Sequence, residues 1–324
     1  MGTFAAFFSR AIMQGTPLLF GAVGEIITEK SGNLNLGIPG IMYIGAISGV
    51  IGAFFYEQSA YYVPAIGVLI ALISCLIGSL LASLIYCFLT ITLRANQNVT
   101  GLALTTFGVG FGNFFGGSLI KVTKSQVPYL SLSETGSAFS ATTPLAGLGW
   151  FGKMFFSYGF MVYLAILLAV LASIFLNRTR AGLHLRAVGE NPATADAAGI
   201  NVTKHKYLAT CAGGMIAGLG GLYFVMDYMG GIWANDGFGD RGWLAIAIVI
   251  FALWKPVLAI PASYLFGALY ILFNYLSLPM SMIPIFQMLP YVVTILALLI
   301  TSIRNNREKQ PPASLGLSYF REDR

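Results

Sequence analysis

Nine apolar runs alternate with polar stretches along the chain, near residues 11–27, 36–55, 63–92, 99–120, 158–177, 207–227, 242–254, 257–277 and 286–303. Runs of this kind predict helices, because a backbone facing lipid has to satisfy its own hydrogen bonds. A hydrocarbon core of about 30 Å needs roughly 20 such residues. Two stretches leave the count open. Asn33–Gly40 is broken by Gly and Pro and can form two half-helices, and 61–92 is longer than one span requires. The expected fold class is therefore all-α, a polytopic membrane protein with 8–10 transmembrane helical elements. Residues 1–303 form its transmembrane domain. The polar stretch 304–324, which contains Pro311-Pro312, is expected to be a flexible cytoplasmic tail.

One polar island, 178–206, stands out between the later runs. It carries Arg178, Arg180, Arg186, Lys204 and Lys206 against Glu190 and Asp196, five basic residues to two acidic, an excess of three. Loops with that bias lie on the cytoplasmic side. With 178–206 inside, the four following runs return Arg304, Arg307 and Lys309 to the cytoplasm, and Arg94 and Lys255 land there too. Residues 121–157 then fall outside, although they carry Lys121, Lys124 and Lys153. Nine crossings would put Met1 outside. Within the island, Asn191 suits an N-cap, Pro192 the first helical position and Gly199 the residue past the end. The seven or so residues between span about 10 Å, too short to cross a bilayer. The side chains Ala193, Ala195, Ala197 and Ala198 fit a well-capped loop helix or a short cytoplasmic docking helix.

Composition narrows the function. The 324 residues are 57% hydrophobic and 9% charged, whereas soluble domains carry about 25% charged residues, so a soluble enzyme is excluded. The net charge of +6 gathers in loops and tail, without the basic patch interleaved with aromatics that nucleic acid would need. Cys75, Cys87 and Cys211 lie inside apolar runs, and no metal-ligand or catalytic spacing is present. His184 and His205 read as solvated loop histidines. Gly147–Met154, GLGWFGKM, resembles a phosphate loop but has Met154 where Ser or Thr must reach magnesium. No cofactor is expected, and any use of ATP has to come from a partner. MGTFAAFFSR lacks a basic start and a cleavage site, so the first apolar run is expected to be retained.

Polar side chains at membrane depth are costly unless paired or facing water. Glu25, Asn35, Asn98, Thr105, Thr106, Asn113, Asp227 and Asn274 are the candidates. Each Asn or Thr can make an interhelical hydrogen bond. Alternatively Asn35, Asn98, Thr105 and Asn113 line a solute path, with the Asn35–Gly40 break offering free helix amides. The apolar runs contain no Arg or Lys for an anionic solute, which favours an uncharged, hydrogen-bonding one such as a nucleoside or sugar.

Three patterns carry a resemblance. Gly189-Glu190-Asn191-Pro192, followed by Ala195, Ala198, Gly199 and Ile200, resembles the coupling loop of ABC-importer permeases of the branched-chain amino acid, ribose and simple-sugar type. Gly24-Glu25, Glu29, Gly32-Asn33, Asn35-Leu36-Gly37, Gly40 and Met42 resemble that family's N-terminal signature. Ala217-Gly218-Leu219-Gly220-Gly221, then Gly242, Ala245–Ala247, Trp254 and Pro256, resemble a third segment. Together they cover about 20–275, and the nucleoside and simple-sugar branch is the most similar. The resemblance implies a permease subunit that catalyses no reaction on its solute. Its partners would be an ABC ATP-binding subunit, a second permease of a different chain, a substrate-binding lipoprotein or periplasmic protein, and membrane lipid, with no nucleic acid. It would sit in a bacterial cytoplasmic (inner) membrane with both termini inside. The competing class is a secondary transporter or channel without an ATPase, which needs carboxylates in mid-span. Glu25 and Asp227 are the only candidates and fall near segment ends.

Overall fold

The structure, a computed structural model, describes residues 2–123, 127–142, 149–276, 279–304 and 310–320. Lys124, Gly147, Arg307 and Lys309, which entered the charge and motif readings, lie outside these. The helices are α1 (Gly2–Glu29), α2 (Ile38–Glu57), α3 (Pro64–Cys87, extended by a π turn to Thr92), α4 (Gln97–Val122), α5 (Ser133–Phe139), α6 (Gly149–Phe155) and α7 (Phe160–Arg178). There follow α8 (Arg180–Glu190), α9 (Pro192–Ala197), α10 (Val202–Tyr223, extended by a π turn to Tyr228), α11 (Arg241–Phe251), α12 (Pro256–Ile271), α13 (Ile283–Gln287) and α14 (Leu289–Arg304). Among the described residues seven helices are long and apolar enough to cross a membrane: those beginning at Phe4, Ile38, Pro64, Gln97, Phe160, Val202 and Pro256. Two shorter apolar helices, Arg241–Phe251 and Leu289–Leu299, account for the remaining runs. The fold is all-α and polytopic. The 61–92 run is one long helix, and the Asn33–Gly40 break is a loop joining two complete helices rather than a pair of half-helices.

Contacts between loops sort the chain into two ends. The strand β1 (Tyr129–Ser131) pairs antiparallel with β2 (Ile232–Ala234). Glu57 accepts from the Thr135 hydroxyl at 2.7 Å, and Phe8 meets the Phe155 ring at 6.1 Å. The start of α1, the α2–α3 turn, 127–142, 149–159 and 229–240 therefore share one end. At the other, Gly189 of α8 abuts the Lys30 carbonyl, and the Trp254 indole donates to Glu29. The start of α1 thus lies opposite the basic island, as nine alternating elements require, and not beside it as the resemblance implied. Impermeant labelling of intact cells, on a Cys-free background, is expected to modify Ser137→Cys and spare Ala198→Cys. Both side chains are exposed, and the reverse pattern would invert the orientation.

Close helix approach builds the core. α1 crosses α10 where Gly24 and Gly213 face each other, and a Cβ on either would run into the other's carbonyl oxygen. Pro17 inside α1 cannot donate to the Met13 carbonyl, and the Tyr223 hydroxyl on α10 supplies the missing bond at 3.2 Å. Buried Ser79 and Ser83 bond back to carbonyls of their own helix at 2.6 and 2.7 Å, so they enter the apolar core satisfied. Gly24→Leu is expected to cost at least about 1–3 kcal/mol through overpacking, read as a lower thermal midpoint of the purified protein. An unchanged midpoint would mean the crossing is looser than described.

Candidate coupling and solute-path site

The residues of the N-terminal pattern converge on one buried loop, 30–37. Its backbone is bonded by side chains from three helices, and a fourth is tied to it through a side chain. Glu25 on α1 accepts from the Asn35 N–H at 3.0 Å, and Gln97 on α4 accepts from the Leu34 N–H at 2.7 Å. The Tyr86 hydroxyl on α3 donates to the Leu34 carbonyl, and Thr105 on α4 donates to the Leu36 carbonyl at 2.8 Å. Asn33 donates to the Thr210 hydroxyl on α10 at 3.0 Å, and Asn35 caps the Gly37 N–H at 2.9 Å. A loop can be buried only when its polar groups are matched in this way. Glu25 and Asp227, expected near segment ends, are buried within the protein, and so is Glu29. Glu25 Oε2 and Asp227 Oδ2 have no hydrogen-bond partner.

The island folds as three helices in sequence, α8, α9 and the start of α10. Asn191 caps α9 by accepting from the Thr194 N–H at 3.0 Å, with Pro192 first in the helix. Gly199 adopts φ +83° just past the end. Its N–H bonds to the Asp196 carbonyl and that of Ile200 to the Ala195 carbonyl, both at 3.0 Å, a Schellman closure that needs the left-handed residue. Of the residues singled out here, Glu190, Asn191, Ala198 and Gly199 are exposed, whereas Gly189 and Ala195 are buried. Ala195 packs among Val188, Val202, Ile200 and Tyr319. Its role is therefore to seat α9, and the outward surface belongs to Asn191, Thr194, Ala197 and Ala198.

Residues 310–320, expected within a free tail, are held against this island. Ser314 donates to the Gly189 carbonyl through both N–H (3.0 Å) and hydroxyl (2.5 Å), the Gly316 N–H donates to Gly32, and the Tyr319 hydroxyl donates to Asp196 at 2.9 Å. Beside it lies a cavity of about 380 Å³ edged by Lys30, Arg186, Lys255 and Glu190. Burial pushes the Lys30 ammonium below the ordinary lysine value, against the opposing pull of Glu190.

The four expected path residues separate into two groups. Asn35 and Thr105 are buried and bonded within the loop just described. Asn98 is exposed at the start of α4, and Asn113 grips the 229–240 segment, donating to Asp236 at 2.8 Å and accepting from its N–H at 3.1 Å. Between them α4 exposes Thr106 and Gly110 beside a ladder of rings, Phe107 to Phe111 at 5.8 Å and Phe111 to Phe115 at 4.6 Å. The outward face of α3, by contrast, is Ile66, Leu69, Ile73, Ile77, Leu81 and Ile85, which suits lipid.

Residues 7–298 match the family described as the permease component of branched-chain amino acid transport systems. The chain belongs to this permease family. It is similar to the nucleoside ABC transporter permease protein NupC of Lactococcus lactis, 32% identical with 92% of each chain covered. It is also 31% identical to the guanosine ABC transporter permease protein NupQ of Bacillus subtilis, with 89% of each covered. A third relative, TsgC13 of Haloferax volcanii, named for glucose ABC transport, is 35% identical over 82% of this chain and 77% of its own. This permease is accordingly a transport subunit and not an enzyme.

Sequence reasoning passed over several residues at the end of the permease that holds the island. Tyr86, Gln97 and Thr210 bind the 30–37 loop from helices whose patterns read as uniformly apolar or polar-edged. The apolar elements also hold cations after all. Arg241 is buried with its guanidinium 4.4 Å over the Phe224 ring, and Lys206 is buried in the second turn of α10. The heptad-like spacing of Lys206 and Thr210, one turn apart on the face that meets Asn33, was the available signal.

Proposed function

We propose that this permease forms half of the solute pathway of an ATP-driven importer in a bacterial cytoplasmic membrane, and that its solute is a nucleoside. The outward face of α4 carries this reading. Every other long span that is largely exposed shows mainly aliphatic side chains, whereas α4 shows Asn98, Thr106 and Gly110 next to Phe107 and Phe114. Aromatic faces beside hydrogen-bonding groups suit a flat, polar, uncharged base. The naming of two relatives for nucleoside and guanosine transport supports the same class. A second, different permease would cover this face and complete the path. A binding lipoprotein or periplasmic protein would deliver solute to the end formed by 127–142, 149–159 and 229–240. An ATP-binding subunit would dock on α9. Its motion would pass through Gly189 to Lys30–Gly32 and from there into the loop that ties α1, α3, α4 and α10 together.

The test is uptake by the assembled transporter, normalised to correctly inserted complex. Labelled guanosine and uridine are expected to enter and glucose is not. Phe107→Ala and Asn98→Leu should each lower nucleoside uptake about 5- to 150-fold, corresponding to about 1–3 kcal/mol. Glucose uptake without nucleoside uptake would overturn the solute, and full activity of both variants would move the path away from α4.

A further inference from the structure

Under α9 the cytoplasmic end contains a cavity of about 480 Å³. It is walled by the α9–α10 turn, the end of α3, the start of α4 and the 318–319 segment. Lys206 lines it. This side chain is 3% exposed, and among the described residues no hydrogen bond or ion pair reaches its ammonium. Asn33, wholly buried, lines the same cavity and leaves its Oδ1 without a donor while its amide is taken by Thr210. The one carboxylate on the cavity wall, Asp196, is engaged by the Tyr319 hydroxyl at 2.9 Å. Val202 and Thr203, which open the 22-residue helix α10, also border the space. The Asn201 side chain caps only the Lys204 N–H, at 2.9 Å, so the first two amides of the helix are left to the cavity.

A buried ammonium is ordinarily paired, because its desolvation otherwise costs several kcal/mol. Here the missing counter-charge has a place prepared for it. An anion in the cavity would meet the Lys206 ammonium and the positive end of α10 together, the combination that suits phosphate. Arg94, at the rim with φ +57° and its guanidinium 4.5 Å over the Phe320 ring, adds a second cation. We infer that this cavity binds a phosphate ester, either a free monoester from the cytosol or the headgroup of an anionic lipid. The inference does not depend on the identity of the transported solute.

Binding is measured on the full-length permease in nanodiscs of phosphatidylcholine, by thermal midpoint and by native mass spectrometry, using adenosine 5′-monophosphate as the free probe and adenosine as its phosphate-free control. A parallel set of nanodiscs contains phosphatidylglycerol. The monophosphate alone stabilising the protein identifies a free ester, and retained phosphatidylglycerol identifies a lipid headgroup. In either case Lys206→Gln is expected to weaken binding at least about tenfold, and Lys206→Arg to restore part of it. The unliganded Lys206→Gln protein is expected to melt no lower than the native one, since the ammonium has no partner to lose. Absence of binding by both probes, equal binding by Lys206→Gln, or a lower midpoint of that variant without ligand would each overturn the inference.

Discussion

Ala198→Arg is expected to abolish ATP-driven uptake while the permease still inserts and folds. Ala198 is exposed on a helix capped at both ends, by Asn191 and by the Gly199 closure, so a large side chain there disturbs nothing inside the molecule. If α9 seats in a groove of an ATP-binding subunit, an arginine at its surface would be forced into a close contact. Residues central to an interface commonly carry 2 kcal/mol or more, about a 30-fold loss or greater. Ala195→Arg makes the informative contrast. Its side chain would be driven among Val188, Val202 and Tyr319, so this variant should lose folded protein as well as activity. The measurements are co-purification of the ATPase subunit, uptake, and monodispersity of the extracted permease. Normal co-purification and uptake with Ala198→Arg would remove α9 from the coupling route.

The same region shows what a sequence can and cannot disclose. Asn191, Pro192 and Gly199 were legible because capping is local, and each acts on amides or carbonyls within a few positions. The nine apolar runs were legible for a similar reason, since burial in lipid demands long uninterrupted helices. Ser314 could not be read as anything but tail, because its partner Gly189 lies 125 residues away. Ala195 and Ala198 look equivalent in the sequence, and only the packing of α8 on α10 decides that one faces inward. The Asn33–Gly40 stretch looked like a ligand-binding break because Gly and Pro interrupt it. Four backbone groups of the 30–37 loop are instead bonded by Glu25, Tyr86, Gln97 and Thr105, a pairing that requires the helices to be already assembled. Polarity at membrane depth grouped Asn35 and Thr105 with Asn98 and Asn113, and the fold turns the first two inward while leaving Asn98 exposed.

Glu25→Leu is expected to be the most damaging single change among the side chains that hold the 30–37 loop, and Glu25→Gln to be mild. The Glu25 carboxylate accepts the Asn35 N–H at full burial, and Asn35 in turn fixes Gly37 and the start of α2. Leucine is of similar bulk but leaves that N–H without an acceptor, a loss of about 1–3 kcal/mol or roughly 5- to 150-fold in the equilibrium that keeps the loop in place. Glutamine retains an oxygen for Asn35 and puts an N–H₂ in place of Oε2, the atom that lacks a partner in the native arrangement. The loop also touches the island, through Gly32 and Gly189, so loosening it should reduce solute moved per ATP hydrolysed as well as stability. The two effects separate in reconstituted transporter by measuring thermal midpoint, ATPase rate and uptake together. Leucine should lower the midpoint and the uptake-to-hydrolysis ratio, with glutamine near the native values in both. If the two substitutions behave alike, the carboxylate's charge and not its bond to Asn35 is what the loop requires.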